Sequence, residues 1–203
     1  ILGNHDGNLK NDNRQDAITP IVEALEHKNI HLLKNSGETK VNDKITFNVL
    51  SVFDRENWIK PTNTESVNIA LYHGSIHGCQ TSQGFVIQEG EDSVDIFNDF
   101  DFALLGDIHK QQKMDLKGRV RYAGSTIQQN FGESINKGFL MWNIRDKDDW
   151  DCQHVSIVNP RPFITIDLTP QGKLPATLVP RGCRLRIRSS ANVSPMMLKA
   201  ACD

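Results

Sequence analysis

The chain has 203 residues, 38% hydrophobic and 24% charged, with a formal net charge of −2. That length allows one sizeable domain, or one domain and the start of another, and the composition is that of an ordinary globular protein. The charge balance excludes a uniformly basic nucleic-acid binder, so any DNA contact needs a local basic patch.

No apolar run approaches the ~20 residues of a membrane-spanning helix, and no signal peptide is present, so no membrane partner is expected. Cys79, Cys152, Cys183 and Cys202 are far apart and form no CxxC pair. They read as reduced thiols rather than a zinc site or a disulfide framework, which points to the cytoplasm.

The chain opens with Ile1-Leu2-Gly3-Asn4-His5-Asp6, the pattern of a buried strand ending in a loop, and there is no initiator Met. Residues 18–28 carry apolar Ile18, Ile21, Val22 and Leu25 at helical spacing, with Thr19 and Pro20 suited to a first turn. Residues 45–52, 67–72 and 102–105 are short apolar, β-branched runs that predict strands. The second ends at His73-Gly74 and the third at Gly106-Asp107-Ile108-His109. Lys117-Gly118 predicts a hairpin between 112–116 and 119–123. An acidic turn at 146–149 predicts another between 138–144 and 152–158. Residues 163–169 and 184–189 complete the predicted strands. Residues 195–203 read as the start of a helix cut short, so both ends read as the middle of something longer. Pro160 and Pro162 suggest a boundary near 160, separating a core at 1–160 from the start of a second domain at 161–203.

Asn4, His5, His73, Asp107 and His109 share one location, just beyond the ends of apolar strands, where α/β folds gather ligand-binding groups. Imidazole, carboxylate and amide oxygen together suit Mn²⁺, Fe²⁺ or Zn²⁺, and the set is not a thiolate site. Two such ions about 3.5–4 Å apart can clamp a phosphoester and activate water. His77, flanked by Gly74 and Gly78 in an irregular loop, reads as structural.

Gly3-Asn4-His5-Asp6 resembles the GNH(D/E) motif of the calcineurin-like metallophosphoesterases. Tyr72-His73-Gly74 is similar to that family's next ligand, and Gly106-Asp107-Ile108-His109 stands in the place of its GHxH motif. Downstream, Tyr122-Ala123-Gly124-Ser125, then Phe131-Gly132-Glu133, then Lys137-Gly138 resembles the Y-x-G-S…F-x-E…K-G pattern of SbcD-type repair nucleases and their phage relatives. The resemblance implies an αββα sandwich, incomplete at its N-terminus, followed by the beginning of a small α+β capping domain. It implies a hydrolase: a Mn²⁺-dependent DNA exo- or endonuclease acting on ends in double-strand-break repair or recombination. The family's partners would be DNA, an SbcC-type ABC ATPase and a second copy of the chain. Asn4, His73, Asp107 and His109 would be metal ligands, and His5 the catalytic group facing the scissile phosphate.

Two departures qualify this. The family's upstream D-x-H and G-D-x-x-D motifs are not in these 203 residues, and Asp107 replaces the first His of GHxH. Asn4, His73 and Asp107 would then form one site, with His109 left as a lone ligand of the other. One ion or none is expected in place of the family's two, and the chain alone should have little or no activity. Arg184, Arg186 and Arg188 alternate with Leu185 and Ile187, so a strand would set three guanidinium groups on one face, fit for DNA phosphates. The competing readings are a phosphoesterase for nucleotides or phosphoproteins and a non-catalytic DNA-binding scaffold.

Overall fold

The computed structural model describes residues 1–11, 14–175, 179–190, 192–196 and 199. It is a mixed α/β protein that divides into two compact units. The first comprises Ile1–Ser125 and Phe139–Val155, the second Thr126–Gly138 and Ser156–Asp203. A single boundary near 160 therefore misses the excursion through 126–138, which belongs with the C-terminal residues.

The first unit is built on six strands: β1 (Gly37–Lys40), β2 (Ile45–Leu50), β3 (Val67–His73), β4 (Phe102–Gly106), β5 (Gln112–Lys113) and β6 (Val120–Tyr122). Their order across the sheet is β1-β2-β3-β4-β6-β5. The central strands β2, β3, β4 and β6 run parallel, and β1 and β5 pair antiparallel at the two edges. Both faces of β3 and β4 are covered, which is why their sequences read as continuous apolar runs. Ala70, Tyr72, Ala103 and Leu105 enter one cluster with Leu50, Ile76, Cys79, Phe97 and Tyr122. The alternate residues Val67, Ile69 and Phe102 enter the other.

That second cluster is closed by a hairpin, β7 (Gly138–Ile144) and β8 (Trp150–Ser156), paired as a separate two-stranded sheet. Trp142 and Trp150 meet the Phe102 ring edge-on at 5.9 and 5.3 Å. The buried Arg121 guanidinium stacks over both indoles at 5.2 and 5.7 Å. Such stacking compensates a desolvated cation that has one carbonyl partner, Gly118.

The expected helix forms over a shorter span, α1 (Thr19–Leu25), and none of its residues is buried. It stops early because Glu26 adopts a left-handed conformation, φ 43°. Ile1–Gly3 is not a strand. The Gly3 N–H donates to Asp6 Oδ2 and the Gly3 carbonyl accepts from Asp6 N–H, so these groups close a turn instead of joining a ladder. The expected C-terminal helix falls largely outside the described residues. Cys79, Cys152 and Cys183 are free thiols, and Cys202 also lies outside. No helix among the described residues is long and apolar enough to cross a membrane.

In the second unit, β9 (Phe163–Asp167) and β10 (Arg184–Arg188) pair parallel. Gln128 is buried and ties its segment together, donating to Glu133 O and accepting from Phe163 N–H. Glu133 and Lys137 form a buried ion pair at 3.1 Å, their side chains 3% and 5% exposed, and Gln129 N–H also donates to the carboxylate. Removing one partner of a buried ion pair costs more than replacing both by apolar groups. Lys137→Met should therefore cost about 3–5 kcal/mol in urea denaturation, and Glu133→Leu combined with it should recover most of that loss.

Candidate metal centre

The polar cluster lies at the C-terminal ends of the parallel strands. His73 is the last residue of β3 and pairs across the sheet with Gly106, the last of β4. Asp107 follows directly, and Asn4 arrives on the turn closed by Asp6. His73 Nε2 lies 3.3 Å from Asn4 Oδ1 and 3.6 Å from Asp107 Oδ1, and Asn4 Nδ2 donates to Asp107 Oδ1 at 3.4 Å. Three donors delivered by three separate chain segments thus converge on one point. The side chains of His73 and Asp107 are 25% and 22% exposed, so solvent species reach them.

Two glycines make the His73 position possible. A Cβ on Gly3 would approach the imidazole to 2.7 Å, and one on Gly106 would approach its Nδ1 to 2.8 Å. The ring sits in a slot that only bare backbone leaves open. Asp107 is held at φ 89°, a conformation that L residues rarely adopt and that concentrates at functional sites.

The loops around this point are pinned from below. Buried Tyr122 donates its hydroxyl to Gly74 O at 2.6 Å and accepts from Ile76 N–H at 2.9 Å, fixing the chain just beyond His73. Its burial pushes the phenol far above its ordinary titration range. Gly124, at φ 78°, lies against the backbone of His109 and Gln111. The Tyr122-x-Gly124 pair therefore braces both loops that bear cluster residues. His73 beside it, assisted by Asn4 and the charge of His109, holds the Asp107 carboxyl below its ordinary range against the opposing effect of desolvation.

Two donors sharing one divalent ion at about 2.1–2.2 Å sit roughly 3.0–3.5 Å apart, for right-angle to tetrahedral geometry. The observed separations are of that order, and one imidazole, one carboxylate and one amide oxygen suit Mn²⁺, Fe²⁺ or Zn²⁺. No group of three or more His, Cys, Asp or Glu side chains able to hold an ion occurs among the described residues; here His73 and Asp107 are joined by an asparagine. His109 lies near enough to favour the Asp107 charge. His5 is exposed, makes no side-chain hydrogen bond among the described residues, and lines an adjoining cleft. His77 points its Nδ1 at Asp92 O, 2.9 Å away, as a loop hydrogen bond.

In the second unit, the three arginines of β10 are exposed, in register with Phe163, Thr165 and Asp167 of β9. Arg184 stacks on Phe163 at 4.7 Å and Arg186 on Phe131 at 4.8 Å. Arg188 is different: it donates through Nε and NH2 to both Asp167 oxygens at 2.8 and 2.9 Å, so its charge is already matched.

Sequence reasoning missed Asp16. It is buried, accepts from Ile18 N–H, Thr19 N–H and Thr19 Oγ1, and pairs with Lys34 at 2.7 Å. Ala17 N–H donates to Asp6 O at 2.7 Å, so this anchor adjoins the turn that carries Asn4. Only an Asp before Thr-Pro hinted at it.

A protein of Acanthamoeba polyphaga mimivirus, described only as uncharacterized, is 33% identical over 198 residues. The match covers 92% of this chain and 14% of the viral protein, so the chain spans a small part of that relative's length. No family model matches the chain.

Gly3→Ala and Gly106→Ala should each displace the imidazole and, if the cluster holds a divalent ion, weaken its binding by about 10–100-fold, the usual cost of disturbing a ligand's support. A Mn²⁺ titration read by electron paramagnetic resonance checks this. Asp16 supplies a second expectation. Lys34, then Thr19, holds its carboxyl well below the ordinary range. A depressed carboxyl contributes stability above its unfolded value of about 3.9, and that contribution is lost as the pH falls. Asp16→Asn should therefore cost about 1–2 kcal/mol at pH 7, with the gap to the parent narrowing below pH ~4 in chemical denaturation.

Proposed function

We propose that this chain is the metal-binding part of a calcineurin-like metallophosphoesterase of the SbcD type, a Mn²⁺-dependent phosphodiesterase acting on DNA ends. The observation that carries the reading is the convergence of Asn4, from a turn, with His73 and Asp107, from two strand ends, onto one point. In the αββα sandwich this reading requires, the six-stranded sheet and the β7–β8 pair contribute to the two β layers. The second unit is the start of the capping domain.

Asn4, His73 and Asp107 would hold one ion, and His109 would serve a second. A bound divalent ion would supply Lewis-acid stabilisation of the phosphoester oxygens. His5, exposed beside Asn4, faces the scissile phosphate and stabilises its developing charge or delivers a proton. Arg184 and Arg186 contact the DNA backbone, their planes already ordered by the phenylalanine rings, while Arg188 contributes less because Asp167 neutralises it. The resemblance extends to an SbcC-type ATPase partner and a homodimer.

A second reading, a non-catalytic DNA-end binder, is favoured by the donor inventory. Asn4, His73 and Asp107 supply one ion's donors, and the stacked Arg184 and Arg186 serve DNA binding whether or not a second ion is held. The two readings part on cleavage. The 203-residue chain should bind one Mn²⁺, with binding lost in His73→Ala and Asp107→Ala, and should cleave DNA weakly or not at all. Absence of Mn²⁺ binding sinks the metal reading. Robust Mn²⁺-dependent cleavage that disappears in His5→Ala sinks the expectation of weak activity and the scaffold reading together. Arg184→Ala with Arg186→Ala should lower DNA affinity and flatten its salt dependence, whereas Arg188→Ala should do so less.

A further inference from the structure

The residues after the Gly3–Asp6 turn line two clefts that share Gly7, Asn8 and Arg14. The smaller, about 260 Å³, also takes in His5, Asp6 and Gln15. The larger, about 330 Å³, is the size of a small-ligand site. Its walls carry one aromatic ring, Phe53, and four asparagines: Asn8, Asn11, Asn35 and Asn57.

Asn8 and Asn57 are engaged, with Lys10 N–H and Asp54 Oδ1, but the ring and the other two amides are presented to the cleft. Phe53 is half-buried, and its edge rests so close to Gly7 that a Cβ there would come within 2.9 Å of the ring. The side-chain amides of Asn11 and Asn35 make no hydrogen bond among the described residues, and neither does the Arg14 guanidinium. By contrast Arg55, Arg119, Arg121 and Arg145 each hold a carboxylate or a carbonyl. The segment bearing Arg14 is also anchored, two residues on, by Asp16.

Charge separates the two clefts. The larger is walled by Asp16, Asp54 and Glu56 against Arg14 and Lys34, a surround that disfavours a phosphate. The exocyclic amines and ring acceptors of a nucleobase suit carboxylates and amides, and the base has an apolar face for an aromatic ring. In the smaller cleft Arg14 and His5 face Asp6, whose carboxylate already accepts the Gly3 N–H.

We infer that the larger cleft is a nucleobase subsite. Phe53 supports the base, the amides of Asn11 and Asn35 read its edge, and Arg14 takes the attached phosphate on the side of His5. The inference deepens the phosphodiesterase reading and rests on it for its purpose: a terminal nucleotide seated here sets its phosphodiester beside His5 and the metal cluster.

The test is an NMR titration of the whole chain in chelator, with adenosine 5′-monophosphate, ribose 5-phosphate and inorganic phosphate as probes. The nucleotide should bind about tenfold more tightly than ribose 5-phosphate, the scale of one stacked base. Asn11→Ala with Asn35→Ala, both exposed positions, should erase that preference and leave ribose 5-phosphate unchanged. Arg14→Ala should weaken both sugar phosphates alike. No preference for the base, whether from equal binding or from none, overturns the subsite, as does a preference that survives the double substitution. Because no metal is present, this outcome is independent of Mn²⁺ binding by His73 and Asp107, so either reading can fail alone.

Discussion

The packing of the His73 imidazole between the bare backbones of Gly3 and Gly106 is the constraint on which the site depends. It sets how closely the first turn approaches the end of β4, and so how closely Asn4 approaches Asp107. Neither glycine is needed for a left-handed turn. Each is needed because a ring stands where a side chain would. The slot has a floor as well, since Tyr122 bonds both Gly74 and Ile76 and leaves the loop beyond His73 no freedom to carry the ring away.

Much of the framework was legible from periodicity. The runs at 45–52, 67–72 and 102–105 are β2, β3 and β4, and the two hairpins and the last two strands form where expected. Of the polar residues grouped there, His73 and Asp107 meet because the parallel neighbours β3 and β4 bring their ends to one edge; Asn4 joins them from a turn, and His5 stays exposed. What was illegible depended on partners remote in sequence. Edge strand β1, Gly37–Lys40, is polar and half-exposed, so it carries no apolar alternation. Asp16 is anchored by Lys34, and Phe53 by Gly7, through contacts that no local pattern encodes. The excursion of 126–138 into the second unit rests on Gln128 bridging to Phe163, again a distant pairing.

The β10 strand shows the same division between pattern and partner. Alternation placed three arginines on one face but could not rank them. Register ranks them: opposite each stands Phe163, Thr165 or Asp167. Arg184 and Arg186, stacked on rings, donate only to the neutral oxygens of Arg161, Thr165 and Phe131 and keep their charge for an anion, whereas Arg188 is forked onto a carboxylate that neutralises it. Three residues that look equivalent in sequence thus differ in what they can offer a phosphate.

The strain at Asp107 and the rigidity beneath it belong to one argument. A non-glycine residue at φ 89° persists only where its surroundings over-determine it. Here β4 is buried between two cores, Tyr122 and Gly124 brace the loops on either side, and the carboxylate meets His73 and Asn4. Glycine would relax that backbone and surrender the carboxylate; asparagine would keep the shape and surrender the charge that His73 and His109 favour. An acidic residue at this strained position gains from the donors Asn4 and His73 and, on the reading proposed above, from a cation. The proposed metal reading uses that carboxylate, and Asn4 joins it from the turn whose neighbouring cleft offers Arg14 to an anion.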